Sequence, residues 1–388
     1  MTRLNELAGR GQAIWLDYIR RAFLVSGDLE NLVDQGLRGV TSNPSIFEKA
    51  IAGSADYDED LGSLVTEDKS VEEMYEALAI SDIQHAADIL RSVYDQSAGV
   101  DGYVSLEVSP ALARDTHGTI AEARRLFDLL DRPNVMIKVP ATREGVSAVR
   151  ALIGEGINVN VTLIFSRIQY EAVAEAYLAG LESRAAAGDD LGKVASVASF
   201  FISRVDTALD RALEGAKHAS DLQGKIAIAN AKAAYARFRE IFSGDRWERL
   251  ARSGARVQRP LWASTGTKNP LYPDTLYVDS LIGADTVNTV PPATLQAFLD
   301  HGQVAPALES GLDEARAVLG RLAECGFDLE AVTEKLQVEG VEAFAESFRT
   351  LMAGIAEKRE KLQTGRVLLS THLYAAYGDP MRGLGNDS

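Results

Sequence analysis

Short apolar runs alternate with helical stretches eight times along this chain of 388 residues, and that rhythm restricts the fold more than any other feature. Strands separated by helices pair in parallel, because each helix carries the chain back to where the next strand begins. A parallel strand is covered on both faces and therefore reads as a nearly continuous hydrophobic run. The predicted strands are Ala13 to Ile19, Leu37 to Thr41, Gly102 to Pro110, Asn134 to Thr142, Ile157 to Ser166, Val194 to Ser203, Arg256 to Thr265 and Ala284 to Pro292. An α/β fold follows, a (β/α)8 barrel with additional helices. A doubly wound open sheet shares the rhythm, but no predicted strand leads into a G-x-G-x-x-G turn. GEGINV supplies two glycines and precedes a strand.

The chain reads as one domain over residues 1–388, with a helical insertion at about 43–97 and C-terminal helices at about 292–362. DLENLVDQG is a short helix that Gly36 stops, and REGVSAVRALIGEG is another closed by glycine. In THGTIAEARRLFDLLD, Thr119 and Glu122 have capping-box spacing ahead of an apolar helix face. The predicted terminal helix starts at Val341, and the last residues, GDPMRGLGNDS, read as frayed.

A formal charge of −16 argues against nucleic acid or an anionic membrane as partner, since both favour a basic face. An anionic ligand would need a few local cations. Cys325 is the only cysteine, so no disulfide framework forms within the chain; its place near a helix end predicts a small buried or half-buried residue. The start, MTRLNELAGRGQ, lacks the apolar core of a signal peptide, and no apolar stretch approaches a membrane span. A cytoplasmic setting is expected.

In a barrel of this kind the carboxyl ends of the strands gather at one mouth. Polar residues at those ends are Asp17, Asn43, Glu107, Lys138, Asn160, Thr162, Ser199 and, just past its strand, Arg204. Singly, each has an ordinary explanation, such as a helix cap, a turn or a strand threonine. Their recurrence at the same end of successive strands is the stronger signal. Lys138 is the most informative, because it interrupts the apolar run NVMIKVPAT. A lysine buried there is expected to have its pKa pulled well below the usual value of about 10.4, which makes it a nucleophile towards carbonyls. The alternative is a lysine that snorkels to solvent or pairs with a carboxylate. Imine chemistry needs a proton donor and a base, for which Glu107 and Asp17 are available, while Asn and Thr side chains suit sugar hydroxyls.

Other chemistries fit less well. His85, His117, His218, His301 and His372 show no metal-ligand spacing. STGTKNP, Ser264 to Pro270, lacks the full phosphate-loop pattern, although its lysine can reach a phosphate, and no nucleophile elbow is present. Lys225 and Lys232 read as part of a solvated helix face.

GVTSNPSIF (Gly39 to Phe47) resembles the amino-terminal signature of the transaldolases, and NVMIKVPATREG followed by INVNVTLIFS resembles their catalytic block. The similarity continues through VASFFISRVD, GKIAIANAKAAY and WASTGTKNPLY, and is nearest to the long bacterial, actinomycete-type members. The resemblance implies a class I aldolase-type barrel that moves a dihydroxyacetone unit from sedoheptulose 7-phosphate to glyceraldehyde 3-phosphate, giving erythrose 4-phosphate and fructose 6-phosphate. It places the reaction in the pentose phosphate pathway and implies neither metal nor organic cofactor. Its partners would be sugar phosphates, with no nucleic acid and no membrane, and the protein would be a monomer or homodimer. Position by position, Lys138 would form the imine, Glu107 would act through a water positioned with Thr162, and Asp17 would move the proton of the hydroxyl beside the breaking bond. Asn43, Asn160 and Ser199 would hold the three-carbon unit, Phe201 would line the pocket, and Arg204 would bind the phosphate.

The chain departs from shorter transaldolases after the seventh predicted strand. Where those have a second phosphate-binding arginine in a segment like A-S-F-R-N, this chain has ASTGTKN, and Lys268 takes the place. Lysine is a point charge without the planar fork of arginine. Two alternative functions stay open from the residues. One is a Schiff-base aldolase acting on free dihydroxyacetone or fructose 6-phosphate. The other is a catalytically silent barrel serving as an interaction module.

Overall fold

The computed structural model describes residues 2–214 and 219–364. Eight parallel strands close into a barrel in sequence order: β1 (Gln12–Leu16), β2 (Gly39–Thr41), β3 (Tyr103–Glu107), β4 (Val135–Pro140), β5 (Val159–Ile164), β6 (Ser196–Phe201), β7 (Arg259–Ala263) and β8 (Thr286–Val290). β1 pairs with β8 in unbroken register from Gln12↔Thr286 to Leu16↔Val290, which excludes the open sheet. Every residue of β1, β2, β4, β5, β6 and β8 is buried, as expected for strands with the barrel interior on one side and helices on the other.

The strands are shorter than the apolar runs that announce them. β1 stops at Leu16, so Asp17 stands one residue beyond it, still tied to the sheet by its N–H donating to Val290 O at 2.8 Å. Helix ends follow local chemistry. Gly36 closes Asp28–Gln35 at φ 117°, a conformation in which a side chain is strained. Gly145 lies in the first turn of Arg143–Glu155, directly after the lysine strand, where a Cβ would meet Pro140 O at 1.9 Å. Thr142 caps that helix by accepting from Gly145 N.

Two expectations are corrected. Thr119 and Glu122 are not a capping box: the helix starts at Thr116, Asp115 caps it by accepting from Gly118 N, and Thr119 Oγ1 donates to Leu112 O at 2.9 Å. Ser70 and Glu73 form the capping box instead, at the start of Val71–Ile89. Cys325 is exposed: it follows a helix, Leu312–Glu324, that buries only Ala315 and Leu322.

Helices fill the span between β2 and β3, among them Pro44–Phe47, Asp58–Thr66 and Val71–Ile89, with a π-helical turn at Glu48–Ala52. The last described helix, Leu329–Gln363, is 35 residues long and begins twelve residues before the predicted Val341 (341 − 329). It packs on the helices that follow β2 and reaches the barrel mouth, where Gln337 Nε2 donates to Ala141 O and Leu163 O at 2.9 and 3.0 Å. The segment GDPMRGLGNDS, His218 and His372 lie outside the described residues. No helix among the described residues is long and apolar enough to cross a membrane.

Candidate active site

The barrel register sets the site. Glu107 on β3 is the Cα partner of Lys138 on β4, and Lys138 is the partner of Asn160 on β5. Three polar side chains thus meet at one level because their strands are parallel and in step. Lys138 is 5% exposed, and its Nζ donates to Ser42 O at 3.0 Å. The nearest carboxylate oxygen, Glu107 Oε2, is 3.6 Å from Nζ, and this oxygen is buried with no hydrogen-bond partner. Burial pushes the Glu107 carboxyl up to about 7; the Lys138 ammonium pulls it down and the Asp17 charge adds to the rise.

Asp17 accepts a hydrogen bond from Thr41 Oγ1 at 2.7 Å, and Thr41 and Thr289 share a second bond of 2.7 Å between their hydroxyls. Asp17 is thereby held from β2 and β8 as well as from its own strand. Asn43 caps Pro44–Phe47 by accepting from Ile46 N at 3.1 Å, so its carbonyl is partly engaged while its amide N–H groups are free to turn to the cleft. Asn160 links three strands: its Nδ2 donates to Ser105 Oγ at 3.1 Å, and Ser199 Oγ donates to its Oδ1 at 2.6 Å. Thr162 Oγ1 is buried and unpaired. The β5 ladder is irregular between Val161 and Ile164, and Leu163 has φ 60°, so the backbone departs from strand geometry right after Thr162.

A cleft of about 140 Å³ opens at the mouth, lined by Asp17, Asn43, Lys138, Thr162, Ser199, Phe201, Arg204 and Lys268. Arg204, in the first turn of Ser203–Leu213, sits 5.4 Å from the Phe201 ring centroid and 6.0 Å from that of Phe344. Burial lowers its pKa and the Asp17 charge raises it. No ion pair joins Arg204 to a carboxylate among the described residues, and it lines the cleft opposite the longer-range charge of Asp17. Lys268 is exposed, in the loop after β7.

Of the ten residues singled out from the sequence, eight line this cleft; Asn160 lies outside it, bonded to Ser199, and Glu107 lines a second cavity. The sequence reading missed Thr41, Thr289 and Phe344. The two threonines stand at strand ends and could have been found by extending the search for polar side chains to β2 and β8. Phe344 had no signal, since it comes from the last helix, 206 residues after Lys138 (344 − 138), and its ring lies 5.9 Å from Nζ. Among the described residues, no three His, Cys, Asp or Glu side chains converge as metal ligands would.

A closed eight-stranded α/β barrel with a buried lysine and carboxylate side by side at the mouth defines an enzyme architecture of the (β/α)8-barrel aldolase type. Residues 14–355 match the family described as transaldolase/fructose-6-phosphate aldolase. The chain is 51% identical over 359 residues to a transaldolase of Parafrankia sp., covering 92% of this chain and 97% of that protein. It is also 51% identical to those of Thiobacillus denitrificans, over 92% of this chain and all of the relative, and of Thermobifida fusca, over 92% and 98%. The chain belongs to the transaldolase family.

Proposed function

We propose that this protein is a transaldolase that carries dihydroxyacetone from sedoheptulose 7-phosphate to glyceraldehyde 3-phosphate through an imine on Lys138, as a step of the pentose phosphate pathway in the cytoplasm. The observation that carries the reading is the pair at the mouth: Lys138 Nζ buried, held by one carbonyl, and 3.6 Å from a carboxyl poised near neutrality.

The neutral amine adds to the ketone C2, and the carbinolamine loses water when Glu107 supplies a proton. A carboxyl at about 7 is suited to both directions of that transfer at neutral pH. Thr162, with a buried hydroxyl free for a partner, orients the water between them. The iminium draws electrons from the C3–C4 bond as Asp17 takes the C4 hydroxyl proton, and the aldehyde departs. Asn43 and Ser199 bind the hydroxyls of the remaining three-carbon unit, with Asn160 holding Ser199 in place. Phe201 forms the apolar wall, and Arg204 with Lys268 receives the phosphate. These two cations answer how a chain of net charge −16 binds an anion.

Aldol release of free dihydroxyacetone uses the same residues. The names of the relatives, all transaldolases, favour transfer over release. The deciding experiment is borohydride reduction with fructose 6-phosphate followed by peptide mapping. A three-carbon adduct on Lys138 is expected, and it should vanish when erythrose 4-phosphate is added as acceptor. An intact protein without adduct would leave the barrel with a structural lysine.

A further inference from the structure

Glu107 does not line the substrate cleft. It lines a second cavity of about 240 Å³, which lies between the barrel and the helices Val71–Ile89 and Thr116–Leu130. At about 30 Å³ each, several water molecules fit there. Its inner end is formed by Glu107, Ser42 and Asn43, and Ser42 is the residue whose carbonyl holds Lys138 Nζ. Its outer rim is polar: Arg125 bridges Glu76 at 2.8 Å and Glu122 at 2.9 Å. Glu107, Lys138 and the Ser42–Asn43 backbone therefore form a thin wall between two cavities, one shaped for substrate and one leading to the outer face of the barrel.

This arrangement meets a requirement of imine chemistry. Dehydration of the carbinolamine breaks the C2–O bond, the oxygen leaves with its electron pair and the Glu107 proton, and one water is produced for each imine. Hydrolysis later consumes one. Both events take place while a phosphorylated sugar fills the mouth and the Phe344 ring stands over Lys138.

Resting on the imine reading above, we propose that the cavity behind Glu107 is the water passage of the reaction, by which the water of dehydration leaves and the water of hydrolysis enters. Tyr75, whose ring packs between Phe47 and Phe348, narrows the passage. The burial that lifts the Tyr75 hydroxyl pKa, helped by the Glu107 charge, keeps that hydroxyl neutral and able to hand water along.

The test uses the full-length protein, fructose 6-phosphate carrying oxygen-18 at C2, and ordinary water. Ala79, buried in the cavity wall, is replaced by Phe to fill the passage; neither the cleft nor the reacting atoms are touched. In A79F the borohydride-trapped adduct on Lys138 should reach the wild-type level about tenfold more slowly. A share of the label should also return to C2 of the recovered ketose, whereas wild type exchanges it fully with solvent. Glu72→Trp closes the exposed rim from outside and gives the same readout if A79F does not fold. Wild-type rates and full label exchange in a folded, plugged variant would overturn the passage and leave the imine standing. Absence of any adduct in wild type would remove the imine reading and the passage together.

Discussion

Glu107 Oε2 stops 3.6 Å from Lys138 Nζ on the neighbouring strand, close enough to share a proton through one water and too far for a direct bond. With burial holding the carboxyl near 7, its protonated form prevails below neutrality. Imine formation should therefore fall as pH rises through about 7. Glu107→Gln should slow it about 100-fold and abolish that limb of the profile, with little change in KM. Stopped-flow trapping at several pH values checks this, and an unchanged imine step would reverse the assignment.

The same group gives stability a sign. Its folded pKa of about 7 is raised from 4.5, so the folded state holds more protons than the unfolded one between those values. Its contribution is fully present below about 4.5 and is lost as pH rises through about 7. Urea titrations of wild type should show a loss of up to about 3 kcal/mol from this group across the window, and the Gln variant should lack it. Asp206, raised to about 7 by burial, keeps its own descent in both proteins.

Asp17 is tied to Thr41 rather than to the lysine, which separates its duty from that of Glu107. Asp17→Asn should still form the imine but lower the rate of carbon–carbon cleavage by about 100- to 1,000-fold, so the adduct should accumulate. Mass spectrometry of the unreduced protein with fructose 6-phosphate reads it directly. A variant that neither forms nor accumulates adduct would place Asp17 in the first step.

How much of this was legible beforehand follows from range along the chain. The strands were legible because parallel strands are apolar on both faces, and the convergence of Glu107, Lys138 and Asn160 because polar residues recur at the carboxyl ends of successive strands, which the register brings together. Boundaries were less so: the apolar runs continue past the last paired strand residue, so Asp17 falls outside β1 although its N–H still bonds Val290 O. Thr119 was read as a cap because its spacing to Glu122 fits, yet Asp115 precedes it and caps first. Phe344 and Gln337 depend on where a distant helix docks, and no local pattern encodes that.

Arg204 has its guanidinium against two aromatic rings and the cleft before it. A charge-assisted contact of this kind contributes about 1.5–3 kcal/mol, so Arg204→Ala should raise KM for fructose 6-phosphate roughly 10- to 150-fold. Turnover of unphosphorylated fructose should be unaffected. Arg204→Lys keeps the charge without the fork and should fall between. Lys268→Ala, at an exposed position, should cost about fivefold or less. Equal losses with both sugars would mean that Arg204 supports the cleft wall and not the phosphate.

The last helix owes its position to contacts with the segment that follows β2. Lys358, 6% exposed, donates to Ser54 O and to Asp58 Oδ1, the latter at 2.7 Å. Ser347 and Ser45 share a hydroxyl bond of 2.7 Å, and a Cβ on Gly354 would stand 2.6 Å from that of Ala52, so the two backbones approach closely here. Lys358→Met keeps the length of the side chain but leaves Asp58 without its partner, at a cost of about 1–3 kcal/mol. The loss should be local. Amide exchange should accelerate in Leu329–Gln363 and Asp58–Thr66, while the β4 and β5 amides stay protected. Because Phe344 rides on this helix, KM for the phosphorylated ketose should rise a few-fold while the trapped adduct still forms on Lys138. If exchange accelerates in the helix and KM does not move, the Phe344 ring is a bystander to the cleft.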